Sequence, residues 1–240
     1  LALPGYHIAG LQVLIRSVVA GTTPVSIDPS FDVGDLPGVV AAMGSGRRYA
    51  SLVAVQLDKA LHDARAALRA LRTGGTPLPV DRRRVGVLGF SAGGHLAALL
   101  ATDSPDVPGA DPLTFAGRSD AALLAYPVTD LRETMLGRLP NLHTDSADNL
   151  LGEDAPEEVR AALSVATRVT PPEEEELPDL FIWTTSDDAT VPALHALSLM
   201  TSLAVAGVPF EGHVFRSGRH GLGLADEEPE VAQWTDLAER

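Results

Sequence analysis

The sequence predicts an α/β protein with a mainly parallel sheet and helices on both faces. Three observations point there. Short apolar runs of strand length alternate with helical patterns along most of the chain. Several of those runs are apolar throughout rather than at every second residue, as in strands covered on both faces. At 240 residues and 45% hydrophobic content, the chain has the size and apolar supply of one domain with a sizeable core. A single domain over residues 1–240 is therefore expected.

The elements follow in order. AGLQVLIRSVVAG (9–21) reads as an early buried strand. Residues 22–50 are rich in Gly, Pro, Ser and Asp and read as a long irregular insert. In LDKALHDARAALRALR (57–72), Leu57, Leu61, Ala64, Leu68 and Leu71 recur at three- and four-residue steps, so a helix is predicted, ended by TGG (73–75). RRVGVLGF (83–90) is a strand, AGGHLAALLAT (92–102) a helix and SDAALLAYPV (119–128) a strand. Residues 130–170 hold loops and a short helix at 155–164. DLFIWTT (179–185) is a strand, ALHALSLMTSLAVAG (193–207) a helix with a glycine stop, and PFEGHVF (209–215) a strand. PEVAQWTDLAER (229–240) closes the chain as a helix. In parallel sheets ligands bind beyond the carboxyl ends of the strands, so chemistry is to be sought just after each one.

Composition narrows the classes of partner. A net charge of −14 sets the surface against nucleic-acid phosphates and anionic membranes, which leaves small molecules, although solubility alone accounts for the acidity. With no cysteine, disulfides, thiol catalysis and cysteine-ligated zinc are excluded. No apolar run reaches the roughly 18 residues of a membrane span. The chain begins at Leu1 with no basic and apolar leader pattern, so the reading is a removed leader or tag, or a fragment of a longer protein. A soluble protein, cytoplasmic or secreted, is expected.

Gly89-Phe90-Ser91-Ala92-Gly93 matches G-x-S-x-G between a strand and a helix, the context this motif requires. The turn is tight, which accounts for glycines flanking the serine. It lifts the Ser91 hydroxyl clear of the sheet, points the Ala92 N–H at the place where an oxyanion would form, and aims the helix dipole there too. A structural strand-to-helix turn is the bland alternative.

A serine hydroxyl needs a base. Of seven histidines, His7 and His62 precede the elbow, whereas this architecture orders serine, acid, histidine. His95 lies in the helix after the elbow, where packing is expected. His143 is in an irregular region, His195 near a helix start and His213 within a strand. His220 follows the strand 209–215 in RSGRHGLGL, at a carboxyl end, on a glycine-rich loop able to reach across the sheet. The imidazole in turn needs an orienting carboxylate. WTTSDDATVP supplies Asp187 and Asp188 at the end of the strand 179–185. The glutamates 173–176 precede that strand, at the wrong end of the sheet, and read as a solvated charge run.

With those residues in place, the chain resembles an α/β-hydrolase. More narrowly, it is similar to the BD-FAE-type esterase/lipase-like group that includes bacterial acetyl-xylan esterases and feruloyl-esterase-like proteins. The matching stretches are RVGVLGFSAGGHLAALLAT, AALLAYPVTDL, NLLGED, the D-x-x-V-P segment at Asp188, SVATRVTP (164–171) and AGVPFEGHVFRSGRHGLGL. The resemblance favours Asp188 over Asp187 as the acid, leaving Asp187 a solvated loop residue. It implies a Ser91–His220–Asp188 triad, hydrolysis of short acyl esters through an acyl-enzyme, and no metal or organic cofactor. The expected partner is a small-molecule ester, with acetylated sugar, feruloylated xylan and simple lipid esters all open.

The chain departs from the family at its start. The family carries a glycine-rich oxyanion loop after an early strand, ahead of the segment resembling 9–21. Here only eight residues precede that segment, and Pro4-Gly5-Tyr6 is a faint echo, which makes Gly5 and Tyr6 the candidate second oxyanion contact. A sheet short of its first strands would expose an edge and favour pairing into a homo-oligomer. Two further readings stay open. A prolyl-oligopeptidase-like peptidase shares the elbow and the acid loop, and a non-catalytic binding module could reuse a hydrolase pocket.

Overall fold

The computed structural model describes residues 57–73, 81–102, 119–137, 139–173 and 177–239. The strand expected at 9–21 and the insert at 22–50 lie outside the described residues. The elements run α1 (Leu57–Thr73), β1 (Gly86–Phe90), α2 (Ala92–Thr102), β2 (Ala121–Ala125), β3 (Thr134–Met135), β4 (Leu139–Pro140), α3 (Asp145–Leu151), α4 (Glu157–Ala162), β5 (Asp179–Thr185), α5 (Leu194–Ala206), β6 (Glu211–Phe215), α6 (Pro229–Ala232) and α7 (Trp234–Ala238). A 3₁₀ turn spans Val165–Thr167.

Among the described residues, four strands form one parallel sheet in the order β1-β2-β5-β6. Its register aligns Gly89 with Leu124, Leu124 with Ile182 and Ile182 with Gly212. The side-chain period of two then sorts residues between two cores. Ala122, Leu124, Leu180 and Ile182 meet Ala97, Ala98 and Leu99 of α2 and Ala196, Leu199 and Leu203 of α5. Ala125, Phe181 and Trp183 point the other way, onto Val231 of α6 and Trp234 of α7. Helices thus cover both faces, as the uninterrupted apolar strands require. The Trp183 and Trp234 rings stack with centroids 5.5 Å apart, which fastens the chain's closing segment to the sheet.

The expected closing helix is two short helices separated at Gln233. Within 130–170 the sequence showed only one helix. The structure adds α3 and the two-residue antiparallel pair β3–β4. Neither is long enough to carry a readable period, and both are held by tertiary packing, as Ala147 of α3 and Met135 of β3 are buried.

Beyond β2 the chain crosses a buried polar layer. His95 Nδ1 lies 2.9 Å from the Val128 carbonyl and must donate to it. The Thr129 N–H points at His195 Nδ1 at 3.3 Å, so that nitrogen accepts, and the Thr129 hydroxyl donates to the His195 carbonyl. The backbone thereby selects opposite tautomers for the two rings. Burial, above all, pushes the pKa of each down to about 4.

The consequence for stability has a definite sign. Both folded pKa values lie below the ordinary 6.5, so between pH 6.5 and about 4 the unfolded chain binds more protons than the folded one. Their contribution is present in full above pH 6.5 and falls as the pH drops, by up to about 1.4 kcal/mol per pH unit for each histidine. Urea-unfolding midpoints should therefore decline from pH 7 to pH 4.5, and less steeply in His95→Asn. An unchanged slope in that variant would disprove the assignment.

Candidate active site

The strand β1 and the helix α2 are joined by a single residue, Ser91. Its N–H continues the sheet pairing by donating to the Ala125 carbonyl at 3.0 Å. Its carbonyl accepts from His95 N–H (3.1 Å), the opening turn of α2, and from Val128 N–H (3.3 Å). Serving sheet and helix at once requires a left-handed backbone, and Ser91 has φ of 56°. That conformation costs a non-glycine residue roughly 1–2 kcal/mol, and such strain in a strand-to-helix turn is the mark of a nucleophile elbow.

The glycines around it do not act as the motif suggested. A Cβ on Gly89 would lie 2.0 Å from the Gly93 carbonyl oxygen, so Gly89 is required. A Cβ on Gly93 would meet nothing within 4 Å, whereas one on Gly94 would sit 2.8 Å from Pro127 Cβ and 3.0 Å from its Cα. The second sterically required glycine is Gly94, one residue beyond the pentapeptide. It lets α2 approach the chain leaving β2. The doubled glycine in the sequence was the available sign of this.

Three loops deliver three side chains to one line. His220 Nε2 stands 2.8 Å from Ser91 Oγ, and His220 Nδ1 stands 2.6 Å from Asp188 Oδ2. Asp188 is buried, and its other oxygen accepts the N–H groups of Thr190 and Val191 at 2.9 Å each. With Oδ1 so occupied, Oδ2 faces the imidazole, which donates from Nδ1 and leaves Nε2 as the acceptor facing the Ser91 hydroxyl. Of the two candidate aspartates, the structure brings Asp188 to His220. Asp187 points away and bonds Ser217 and Gly218.

Tyr126, the residue after β2, packs against His220. Its ring meets the His220 ring edge-on at 4.9 Å, and its hydroxyl accepts the Gly223 N–H at 2.9 Å. Its φ of 37° is again left-handed. Neither Tyr126 nor the clasp made by Asp187 was anticipated from the sequence, because each works through backbone groups that chain order does not bring together.

Among the described residues, two further histidines have local partners. His213 pairs with Glu211 at 2.8 Å on β6. His143 bonds Ser146 Oγ at 2.7 Å and packs edge-on against His195. Burial lowers its pKa. Asp145 opposes that shift, His220 adds to it and Asp188 opposes it, so His143 lies within electrostatic reach of His220 and Asp188. Ala92 is the first residue of α2, where an N–H lacks an intrahelical acceptor. Gly5 and Tyr6 lie outside the described residues. Among the described residues no group of three His, Cys, Asp or Glu side chains could hold a metal ion, and no helix is long and apolar enough to cross a membrane.

A parallel sheet with a strained serine at a strand-to-helix elbow, and a histidine and aspartate on later strand ends, defines the α/β-hydrolase class. Within it, the BD-FAE family model matches residues 48–203, and the chain belongs to that family. Endo-1,4-beta-xylanase B of Butyrivibrio fibrisolvens is 32% identical over 170 residues, 70% of this chain and 25% of that protein. A solved structure, the acetyl ester-xyloside bifunctional hydrolase from Caldicellulosiruptor lactoaceticus, is 42% identical with a TM-score of 0.63, covering 75% of this chain and 63% of that one. A shorter stretch of 86 residues, 33% of this chain, is 56% identical to 22% of a probable 2-succinylbenzoate–CoA ligase from Mycobacterium tuberculosis. The chain thus spans about a quarter of the length of these curated relatives.

The glycine geometry gives an ordered expectation. Gly93→Ala should leave the unfolding free energy unchanged or raise it by up to about 1 kcal/mol. Gly94→Ala should lower it by about 1–3 kcal/mol, and Gly89→Ala by more. Denaturant titration of the three variants tests the ranking, and equal losses at 93 and 94 would contradict it.

Proposed function

We propose that this chain is a serine esterase hydrolysing short-chain acyl esters, with acetylated or feruloylated carbohydrate as the substrate class. The observation carrying this is the hydrogen-bonded line from Ser91 through His220 to Asp188, with spacings of 2.8 and 2.6 Å, on a strained elbow. Family membership, and the likeness to a hydrolase described as acting on an acetyl ester, support the acyl group.

Ser91 Oγ attacks the ester carbonyl while His220 Nε2 takes its proton. The charge that develops on the carbonyl oxygen is met by the Ala92 N–H and the amino end of α2. Gly5 and Tyr6 are proposed as the source of a second donor. His220 then protonates the departing alcohol, leaving the acyl group on Ser91. Asp188 holds the Nδ1–H tautomer throughout and stabilises the imidazolium. Water, activated by the same histidine, attacks the acyl-enzyme, and the collapse of that second oxyanion frees the acid and restores Ser91.

Ser91→Ala should reduce p-nitrophenyl acetate hydrolysis by at least about 10³-fold, and Asp188→Asn by up to about 10⁴-fold, with both proteins folded by circular dichroism. Full activity in Ser91→Ala would refute the assignment. A panel of p-nitrophenyl acetate, acetylated xylan and methyl ferulate against a prolyl p-nitroanilide tests the substrate class. Cleavage confined to the anilide would replace the esterase with a peptidase.

A further inference from the structure

The loop that carries His220 leaves β6 at Phe215 and is tied to the end of β5 by consecutive bonds. Ser186 N–H donates to the Phe215 carbonyl at 2.8 Å, and the Ser186 hydroxyl donates to the Arg216 carbonyl. Thr185 Oγ1 donates to the Gly218 carbonyl at 2.6 Å. Asp187 completes the set. Its Oδ2 accepts the Ser217 hydroxyl at 2.6 Å and its Oδ1 accepts the Gly218 N–H at 2.7 Å. The bonds therefore step along the loop toward the histidine. Asp187 and Thr185 together supply the last side-chain bonds before His220, which stands two residues beyond Gly218, and the Tyr126 hydroxyl takes the Gly223 N–H three residues after it.

Adjacent aspartates thus hold the histidine in different ways. Asp188 is buried and bonds the ring directly, while Asp187 is exposed and bonds only the loop. We infer that Asp187 is a positioning residue for the proposed reaction, setting where the His220 ring stands relative to Ser91 by clasping Ser217 and Gly218. Its two bonds are charge-assisted, and those to Ser217 and then Gly218 hold its carboxyl below the usual carboxylate range. The carboxylate consequently stays ionised at neutral pH.

The exposure of the clasp separates its role from folding. When the carboxylate is removed, water can satisfy Ser217 and Gly218, so little stability is lost. The imidazole, however, must stay within hydrogen-bond reach of both Ser91 and Asp188. Misplacing a reacting group by about 1 Å can cost as much as 10²-fold in rate. Gly218 is where the loop comes closest to its neighbours, since a Cβ there would meet Thr185 Cγ2 at 2.8 Å and Leu222 Cδ1 at 2.9 Å.

The inference rests on the triad reading, and its test keeps the two apart. Wild type, Asp187→Ala, Asp187→Asn and Ser91→Ala are compared in three assays: kcat and KM on p-nitrophenyl acetate, the rate of labelling by a fluorophosphonate, and the thermal midpoint. Asp187→Ala should lose about tenfold in kcat and in labelling rate, with KM within twofold and a nearly unchanged midpoint. Asp187→Asn keeps an oxygen for the Gly218 N–H and should recover part of both. A kcat and labelling rate within twofold of wild type in Asp187→Ala would overturn the inference while leaving the triad intact. So would a loss that tracks a lowered midpoint. Absence of labelling in wild type, or equal labelling of Ser91→Ala, would overturn both.

Discussion

Ser91 sits at φ 56° between β1 and α2, with its N–H in the sheet and its carbonyl in the helix. One residue performs the change of direction, and much of the neighbouring structure follows from that. The helix must start at once, which brings its backbone within reach of Gly89 and Pro127 and excludes side chains at Gly89 and Gly94. The same carbonyl takes the Val128 N–H, so the path of the chain out of β2 is tied to the elbow. The strain is borne by the two cores on either side of the sheet, which fix the β1–β2 register on which the turn depends.

The parallel sheet supplies the rest of the site almost as a corollary. Neighbouring parallel strands end on the same side, so the loops after β1, β5 and β6 converge although Ser91 and His220 are 129 residues apart. Convergence alone does not orient an imidazole. That is done by bonds of several kinds: Asp188 on Nδ1, the Tyr126 ring against the edge of the histidine, and backbone anchors on the loop at Ser217, Gly218 and Gly223. Asp188 is itself oriented by the Thr190 and Val191 N–H groups. Its position at the bend between β5 and α5 is therefore part of its chemistry.

Beneath the site, the residues after β2 are packed with polar groups that have left water. Asp130 is fully buried and meets Arg132 at 2.6 Å and Ser198 at 3.1 Å, while His95 and His195 bind neighbouring backbone positions. Such groups specify one arrangement because each has few ways to satisfy its bonds, and the cost of leaving them unpaired is high. The same burial makes this layer sensitive to acid.

The order of strands and helices, the elbow and the serine–acid–histidine sequence were legible in the chain itself, because they rest on local periodicity and on turn chemistry confined to a few residues. RRVGVLGF, DLFIWTT and PFEGHVF each contain the strand expected of them. By themselves the residues left Asp187 and Asp188 open as partners of His220, since adjacent loop carboxylates differ by no local signal. Only the tertiary structure turns Asp188 inward to the ring and Asp187 outward to the loop. It alone moved the steric requirement from Gly93 to Gly94, and it alone placed Tyr126 beside the imidazole. In each case the deciding contact joins backbone and side chains far apart in the chain, and such contacts exist only once the sheet has brought the strand ends together.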